Sequence, residues 1–335
     1  MTPTVSVLLP VRDGERHLAE AVASLEAQTF QDFEVLAVDD GSTDATPEVL
    51  AAWAGRDPRV HLIRQEPMGI VGALEAARGR ARGRYLARMD ADDVCDPTRL
   101  AAQLALMESE PTVVACGCGI EYFPDGVVRD GARRYEEWMN RAATPDEIER
   151  EIFVECPLAH PTFFLRASAL DAVGGYRDPG WPEDYDLLLR LWAAGGRLAQ
   201  VPKVLLRWRE RPDRLSRTHE RYAPEAFLAC KVHHLRGTLL RDKEGVVIWG
   251  AGPVGKTAAR ALVETGTPLI AFVEVDPRKI GQEIHGVPVL GTDRGVEVEG
   301  ALHLGAVGQP GVRDRIRATL QAAGRKELRD FVAIA

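Results

Sequence analysis

Short apolar runs alternate with amphipathic segments over the first two-thirds of the chain. Runs of four to seven mostly apolar residues predict strands, and apolar residues at helical spacing predict helices. The predicted strands cover residues 5–11, 34–38, 60–63, 85–89, 113–116 and 198–208. The predicted helices include Leu18, Val22 and Leu25, then residues 70–82 and 183–194. Strands that alternate with helices in this way are typical of an α/β fold with a mostly parallel sheet.

Polar residues mark helix starts and loops between these segments. Thr46 before Pro47 and Asp96 before Pro97 predict N-caps with proline at the first helical position, and residues 144–147 (TPDE) predict a capping box. Residues 124–134 are polar and contain glycine, which predicts a loop or a weak hairpin. Residues 209–217 are charged and rich in turn formers, which predicts a mobile loop.

A second strand and helix series begins near Val246. Residues 246–255 (VVIWGAGPVG) predict a strand, a glycine turn and a helix, and residues 269–275 predict the next strand. A chain of 335 residues is also longer than one core usually supports. The sequence therefore predicts a first domain at residues 1–223, a helical linker at 224–244 and a second domain at 245–335.

Composition excludes several classes of protein. The chain has 42 Lys and Arg against 50 Asp and Glu, a formal net charge of −8, and no basic tail, which argues against general nucleic-acid binding. We expect no transmembrane segment, because no run approaches the roughly 20 apolar residues that a membrane helix needs. The N-terminus predicts a strand and not a signal peptide. Five cysteines fit neither a disulfide framework nor a four-ligand zinc site, so we expect a cytoplasmic protein, with a peripheral place at the inner membrane face left open.

Three acidic clusters follow predicted strands or open a predicted helix. They are residues 39–44 (DDGSTD), 90–93 (DADD) and 183–186 (EDYD). Ligands of open α/β sheets bind at the carboxyl ends of the strands, and carboxylates gathered there repel one another unless a cation lies among them. Taken singly, each cluster also has a structural explanation as a turn, a solvated loop or an acidic helix start. Taken together, they predict a Mg²⁺ or Mn²⁺ site that can accept a diphosphate.

Sugar transfer needs this combination of groups. A nucleoside diphosphate gains negative charge as it leaves the anomeric carbon, and a divalent cation stabilises that charge. The acceptor hydroxyl must lose a proton, which a second carboxylate can take as general base.

The same residues resemble a known family. Residues 5–11, 38–44 (VDDGSTD), 89–93 (MDADD) with Pro97, and 181–186 (WPEDYD) look like the family 2 inverting glycosyltransferases of GT-A type fold, over about residues 1–225. The family reaction implies direct displacement with inversion.

The resemblance implies a role for each matching residue. It implies a base and ribose pocket at Pro10 and Val11, base contact by Asp40, ribose contact by Asp90, metal binding by Asp92, general base catalysis by Asp184 and hydroxyl contacts by Glu183, with Asp39 and Asp93 beside the donor. His160 is expected to neighbour the site, and the loop of Arg211, Arg214 and Arg217 could close over the diphosphate. A processive synthase is not expected, because the QxxRW motif is missing and Leu206-Arg207-Trp208 stands near its place.

The second domain contains a glycine fingerprint. Gly250, Gly252 and Gly255 follow a predicted strand, and Glu274 or Asp276 lies where an acidic ribose partner is expected. About ninety residues suffice for one mononucleotide-binding half and not for a full dinucleotide domain. The segment resembles small Rossmann-like domains of bacterial sugar-modifying and polysaccharide-assembly enzymes. Either a bound nucleotide or a packing, dimerising or vestigial role is compatible with it.

The leading hypothesis is thus a metal-dependent glycosyltransferase. Its donor would be a UDP-, GDP- or TDP-sugar and its acceptor a glycan or lipid-linked acceptor in bacterial surface polysaccharide or glycoconjugate assembly. The alternatives are an NAD(P)-dependent oxidoreductase that acts through the second domain and a nucleotide-sugar sensor without turnover. A homo-oligomer is left open.

Overall fold

A computed structural model describes residues 2–335 of the chain. By its internal contacts the chain divides into two compact units. Unit 1 comprises residues 1–149, 157–179 and 183–219, and unit 2 comprises residues 150–156, 180–182 and 220–335. The domain boundaries after residues 223 and 244 stay predictions.

Unit 1 alternates strands and helices from its first residues. Its strands are β1 Val5–Val11, β2 Phe33–Asp40, β3 Val60–Gln65, β4 Tyr85–Arg88, β5 Val94–Cys95, β6 Val113–Phe123, β7 Phe164–Arg166 and β8 Arg197–Arg209. Its helices are α1 Leu18–Glu26, α2 Thr46–Arg56, α3 Gly69–Arg78, α4 Arg99–Ser109, α5 Asp130–Arg141, α6 Pro145–Glu151 (whose last two residues belong to unit 2), α7 Ala167–Ala172, α8 Glu183–Ala193 and α9 Leu215–Thr218. Short 3₁₀ turns cover Asp125–Val127 and His160–Thr162.

These strands form one eight-stranded mixed sheet. Its order is β3-β2-β1-β4-β7-β6-β8-β5. The β1, β2, β3 and β4 strands run parallel, so their carboxyl ends share one edge. The β7 strand pairs antiparallel with β4 and places Phe164 opposite Ala87, which brings the residues before β7 beside the end of β4.

The apolar pattern explains the centre of this sheet. All seven residues of β1 and all eight of β2 are buried, as expected for strands covered by helices on both faces. The predicted alternation of strands and helices is confirmed in this half of unit 1.

Three local predictions were wrong or shifted. Residues 124–134 form no hairpin: after a 3₁₀ turn they enter α5, because Tyr135, Trp138 and Met139 pack on the core. The regular helix after Asp96 begins at Arg99, and the Asp96 carboxylate accepts the N–H of Thr98 at 2.8 Å, as the predicted capping side chain would.

Thr46 also does not cap its own helix. Its hydroxyl accepts the N–H of Gly14 at 2.8 Å, while Asp44 accepts the N–H of Thr46 at 2.9 Å. The capping box is confirmed, with Thr144 and Glu147 bonded reciprocally at 3.0 and 3.4 Å.

Unit 2 contains a six-stranded, mainly parallel sheet. Its strands are β9 Gly245–Trp249, β10 Leu269–Val273, β11 Glu283–Ile284, β12 Val287–Leu290, β13 Ala301–Gly305 and β14 Phe331–Ala333, in the order β11-β12-β10-β9-β13-β14. Its helices are α10 Pro224–Gly237, α11 Pro253–Glu264, α12 Thr292–Gly295 and α13 Val312–Ala322, with a 3₁₀ turn at Glu220–Tyr222. The strand, glycine turn and helix predicted from Val246 are present.

Between residues 2 and 335 no helix combines the length and the apolar character that a bilayer span requires.

Candidate active site

Two loops at the carboxyl edge of the unit 1 sheet are fastened to each other. The backbone N–H of Asp13 donates to Ser42 Oγ at 3.0 Å, and the N–H of Thr43 donates back to Asp13 Oδ1 at 2.7 Å. The N–H of Glu15 donates to Asp44 Oδ2 at 3.0 Å. The loop after β1 and the loop after β2 therefore form one rigid lip beside Pro10 and Val11, which are themselves buried.

Asp39 and Asp40 are buried at the end of β2 and shape the adjoining loops. Asp39 Oδ1 accepts the N–H of Ser42 at 3.0 Å. The Asp40 carboxylate accepts the N–H groups of Met68 and Gly69 at 2.7 and 2.8 Å, at the start of α3. Both aspartates thus hold backbone in place where the sequence predicts donor contacts.

Asp90, Asp92 and Asp93 form a carboxylate triple just after β4. One oxygen from each lies within 4.8 Å of the others. Burial raises the pKa of Asp92, with a further rise from the charge of Asp90, and burial and both neighbours raise the pKa of Asp93 well above its usual range. The triple therefore holds more negative charge than its surroundings favour.

A divalent cation fits this donor set. The ligands are all carboxylate oxygens, the type that Mg²⁺ and Mn²⁺ prefer. Among residues 2–335, no hydrogen-bond partner reaches Oδ2 of Asp93. Asp93 is only 1% exposed, and its other oxygen accepts the N–H of Arg209 at 2.8 Å. Asp93 is therefore the buried member of the triple, whereas Asp90 and Asp92 are half-buried.

Two arginines lie beside the triple, one at the end of β4 and one just after β8. Arg88 pairs with Asp90 Oδ1 from the end of β4. Arg211 Nε lies 3.0 Å from Asp92 Oδ2, just after β8. Arg217 pairs with Glu210 Oε1 at 2.5 Å, and its contact with the donor stays a prediction.

Glu183 and Asp184 open α8, as predicted. Glu183 is 1% exposed and Asp184 is half-buried. The pKa of Asp184 is raised to about 7, by burial first and by the Glu183 carboxylate second, while the N–H of Tyr185 and the charge of Arg88 oppose the rise. A carboxylate with such a pKa can accept a proton near neutral pH.

His160 lies beside Glu183. Its Nδ1 is 3.6 Å from Glu183 Oε1, and its ring packs edge-on against Phe163 and near Tyr176. Burial first, and the charge of Arg88 second, hold the pKa of His160 well below its ordinary value. The imidazole is therefore neutral at physiological pH.

Sequence reasoning missed two contributors to this site. Arg88 and Tyr176 are each 4% exposed. The charges of Asp90 and Asp93 act on the pKa of Arg88, and the charges of Glu183 and Asp184 act on the pKa of Tyr176. An arginine inside a strand and a lone tyrosine carry no motif, so only their position after folding marks them. The predicted clusters themselves fall where expected, at one edge of the sheet.

In the glycine turn of unit 2, unlike the acidic triple of unit 1, the glycines are explained by packing and the nearby carboxylates already have partners. Gly250 has φ +111°, and a Cβ on Gly255 would lie 1.9 Å from the Gly250 carbonyl oxygen, so close packing of helix on strand already requires these glycines. Glu274 accepts the N–H of Ala251 at 3.2 Å and pairs with Lys279 at 2.9 Å. Around Gly252 a Cβ would meet nothing within 4 Å. Asp276 pairs with Arg278 at 2.8 Å.

Solved structures identify the class of fold. TarS of S. aureus, residues 1–349 in complex with UDP-GlcNAc, aligns with a TM-score of 0.56 at 18% identity, over 78% of this chain and 71% of that one. Mannosyltransferase PcManGT from Pyrobaculum calidifontis, in complex with GDP-Man and Mn²⁺, aligns with a TM-score of 0.53 at 21% identity, over 79% and 75%. The α/β fold of unit 1 is thus of the GT-A type.

Sequence comparison then gives the family. Residues 6–174 match the model described as Glycosyl transferase family 2. The glycosyltransferase EpsE of Bacillus subtilis is 32% identical over 239 residues, which is 68% of this chain and 82% of that protein. The amylovoran biosynthesis glycosyltransferase AmsE of Erwinia amylovora is 29% identical over 215 residues, 63% of this chain and 78% of that protein. The chain belongs to glycosyltransferase family 2, and the oxidoreductase alternative is not favoured.

Proposed function

We propose that this glycosyltransferase moves a sugar from a nucleoside-diphosphate sugar to an acceptor hydroxyl with inversion at the anomeric carbon. Asp184 is the general base, and Asp92 belongs to a divalent-cation site with Asp90. One observation carries the proposal. A carboxyl group with a pKa of about 7, Asp184, shares the buried Arg88 with a separate carboxylate triple.

The two carboxylate groups match the two halves of a direct displacement. Asp184 takes the proton of the acceptor hydroxyl as its oxygen forms a bond to the anomeric carbon. The bond from that carbon to the diphosphate oxygen breaks in the same step, and the electron pair leaves with the diphosphate. Glu183, directly before Asp184, contacts sugar hydroxyls. His160 is neutral and lies beside Glu183, and its low pKa means that it does not compete with Asp184 for the proton of the acceptor.

The triple serves the leaving group. When bound, Mg²⁺ or Mn²⁺ supplies positive charge that stabilises the departing diphosphate. Asp92 binds the cation in this proposal, together with Asp90, because these two members of the triple are half-buried whereas Asp93 is buried. Arg211, 3.0 Å from Asp92, adds a cation that can meet the diphosphate oxygens.

The fastened lip serves the nucleoside. Pro10 and Val11 end β1 beside it, and Asp39 and Asp40 fix the backbone of residues 41–42 and 68–69. We assign base and ribose recognition to this edge, with Asp90 facing the ribose. The donor is a UDP-, GDP- or TDP-sugar.

We further propose that the acceptor is a glycan or lipid-linked glycan of a bacterial surface polysaccharide or glycoconjugate, used in the cytoplasm at the inner membrane face. The name of the Erwinia relative supports this context. Transfer assays with lipid-linked and soluble acceptors test it. Transfer to soluble small molecules alone contradicts it.

For residues 245–335 we propose a Rossmann-like domain. The support is β9 at the centre of the parallel strands, followed by the glycine turn and α11. Whether it holds a nucleotide is tested by calorimetry on the full chain carrying Asp92→Asn. Residual nucleotide binding that a further Gly252→Asp substitution abolishes assigns a second nucleotide site to unit 2, because a side chain at Gly252 would meet no atom of the fold within 4 Å and would occupy the glycine turn. Binding that is unchanged by Gly252→Asp leaves unit 2 a packing or dimerising role.

A thermal-shift panel tests the main proposal. UDP-, GDP- and TDP-sugars are each added with and without Mn²⁺ or Mg²⁺ to the full chain, because a ligand that binds only the native state raises its melting temperature. We expect one nucleotide to give a metal-dependent shift, and release of its nucleoside diphosphate to follow when acceptor is added.

The matched pair of variants is Asp92→Asn and Asp125→Asn. Asp125 is an acid of the same unit whose side chain is 92% exposed. The metal-dependent shift should disappear in Asp92→Asn and persist in Asp125→Asn. A shift that survives in both variants contradicts the assignment of the cation to the triple.

A further inference from the structure

The loop of residues 209–213 leaves the end of β8 and carries Arg211 at its centre. Its composition predicts a mobile loop, but the residues on either side of it are in contact. The Arg214 guanidinium lies over the Trp208 ring, with Cζ 4.2 Å from the ring centre. A short loop whose two ends are held together has far fewer conformations than an open one.

The Trp208 ring is in turn held by the sheet. It stacks on the Tyr122 ring of β6, with the ring centres 5.1 Å apart and an angle of 11° between the ring planes. Tyr122 is only 5% exposed, and its N–H donates to Glu136 Oε2 at 2.6 Å. Arg214 Cζ also lies 5.8 Å from the centre of the Tyr122 ring. The loop is therefore attached to a pair of stacked rings, one of which belongs to the core of unit 1.

Glu210 fastens the same loop a second time. Its N–H donates to the carbonyl of Phe123 at 2.8 Å, and it is 9% exposed. Its two carboxylate oxygens lie 3.6 Å from Arg214 Nη1 and 2.5 Å from Arg217 Nη2. The charges of these two arginines are thus paired within the segment.

Arg211 differs from Arg214 and Arg217 in the partner that it meets. Its Nε lies 3.0 Å from Asp92 Oδ2, and its Nη1 lies 3.6 Å from Asp213 Oδ2. A long, flexible side chain loses much conformational freedom when it binds an anion, and a backbone that is already held in place lowers that cost. Contacts that close the loop therefore favour an Arg211 that is in position before the donor binds.

We propose that Trp208 and Arg214 are positioning residues for recognition of the donor diphosphate. Their contact closes the loop of residues 209–213 on the stacked rings and so places Arg211 beside the acidic triple. The inference rests on the proposed function, since it takes Arg211 as the cation that meets the diphosphate oxygens. Trp208 and Arg214 act through Arg211 and not by touching the donor.

The test is a double-mutant cycle in the full chain. UDP, GDP and TDP are titrated in turn with Mn²⁺ in a calorimeter, and the one that binds most tightly serves as the probe. Its Kd is measured for Trp208→Leu, for Arg211→Met and for the double variant. Trp208→Phe keeps a ring beside Arg214. Arg207→Met is the matched control, because Arg207 lies on the same strand, 54% exposed, with Cζ 4.4 Å from the centre of the Phe123 ring.

Loss of the ring should weaken binding only where Arg211 is present. Trp208→Leu should raise Kd about fivefold, on the scale of a cation–π contact, whereas Trp208→Phe and Arg207→Met should stay near the wild type. In the Arg211→Met background, Trp208→Leu should add less than about a twofold loss, because the side chain that the loop positions is already gone. Melting temperatures without nucleotide show that each variant is folded.

An equal loss from Trp208→Leu in both backgrounds overturns the proposal, since a general structural role of the ring does not depend on Arg211. An unchanged Kd in a folded Trp208→Leu protein overturns it as well. If that variant does not fold, Arg214→Met replaces it in the same cycle, because it removes the other partner of the contact. Failure of the proposed function looks different: none of the three nucleotides then binds, or Arg211→Met alone leaves Kd unchanged.

Discussion

The two units place acidic residues at equivalent edges of parallel strands but treat their charges in opposite ways. In unit 1, burial raises the pKa values of Asp92, Asp93 and Asp184. In unit 2, burial also acts on Glu274, yet hydrogen bonds from Lys279 and two backbone N–H groups lower its pKa overall. Unit 1 stores unfavourable carboxylate charge that a cation or a proton relieves, whereas the charge of Glu274 is already balanced. Carboxylates whose ionised form is disfavoured are enriched at sites of chemistry, which supports the proposal that the reaction takes place in unit 1.

The largest expected effect comes from removing the base. Asp184→Asn should lower kcat by roughly 10²- to 10⁴-fold, because proton transfer to a positioned base contributes about that much. Donor binding should persist in the thermal-shift assay. A near-normal kcat in this variant would contradict the assignment of Asp184 as the base, and with it the contrast drawn between the carboxylates of the two units.

The same substitution should stabilise the fold. The pKa of Asp184 in the folded state, about 7, exceeds its ordinary value of 3.8. The folded protein therefore disfavours the ionised carboxylate relative to the unfolded chain. Ionisation therefore costs stability as pH rises through 4 to 7, and Asp184→Asn should melt at a higher temperature than the wild type at pH 8. At pH 3.5 the difference should vanish. Melting curves at both pH values check this sign.

Activity should follow the same ionisation. Below about pH 7, kcat/KM should fall tenfold per pH unit, because protonated Asp184 cannot act as base. A flat profile between pH 5 and 8, measured with saturating metal, argues for another base.

Substitutions of Arg211 and Arg217, in the segment after β8, should have smaller and unequal effects on kcat/KM for the donor. Arg211→Met should lower kcat/KM for the donor about tenfold, as expected for losing a charge-assisted contact. Arg217→Met should change it less, since Arg217 pairs with Glu210. Equal losses in both variants would support the prediction that the whole loop closes over the diphosphate.

The smallest effect is expected in unit 2. Glu274→Gln should leave transfer unchanged and lower stability by less than about 1 kcal/mol, because its partner Lys279 is 37% exposed and solvent screens the pair. Steady-state kinetics and urea unfolding check both expectations. A large loss of transfer would show that unit 2 takes part in the reaction.

Much of unit 1 could be predicted because local pattern and final burial agree there. The apolar run of β1 is buried throughout, and all three acidic clusters follow strands or open a helix as expected. Helix α5 could not be predicted, because its charged residues and Gly131 suggest a loop and only packing of Trp138 and Met139 on the core stabilises the helix. Arg88 could not be predicted for a related reason, and Arg211 was predicted only as part of a loop, without its partner Asp92. Which carboxylate an arginine meets depends on strand order, and sequence separation does not reveal it.

The fastened lip formed by the loops after β1 and β2 has an entropic consequence. Asp13 adopts a positive φ of 49°, which its reciprocal bonds with Ser42 and Thr43 hold in place. Ordering a residue's backbone costs on the order of 1 kcal/mol or more, and here that cost falls on folding and not on ligand capture. The amide hydrogens of Asp13, Glu15 and Thr43 should accordingly exchange slowly with solvent deuterium before any nucleotide is present, and change little once it is bound.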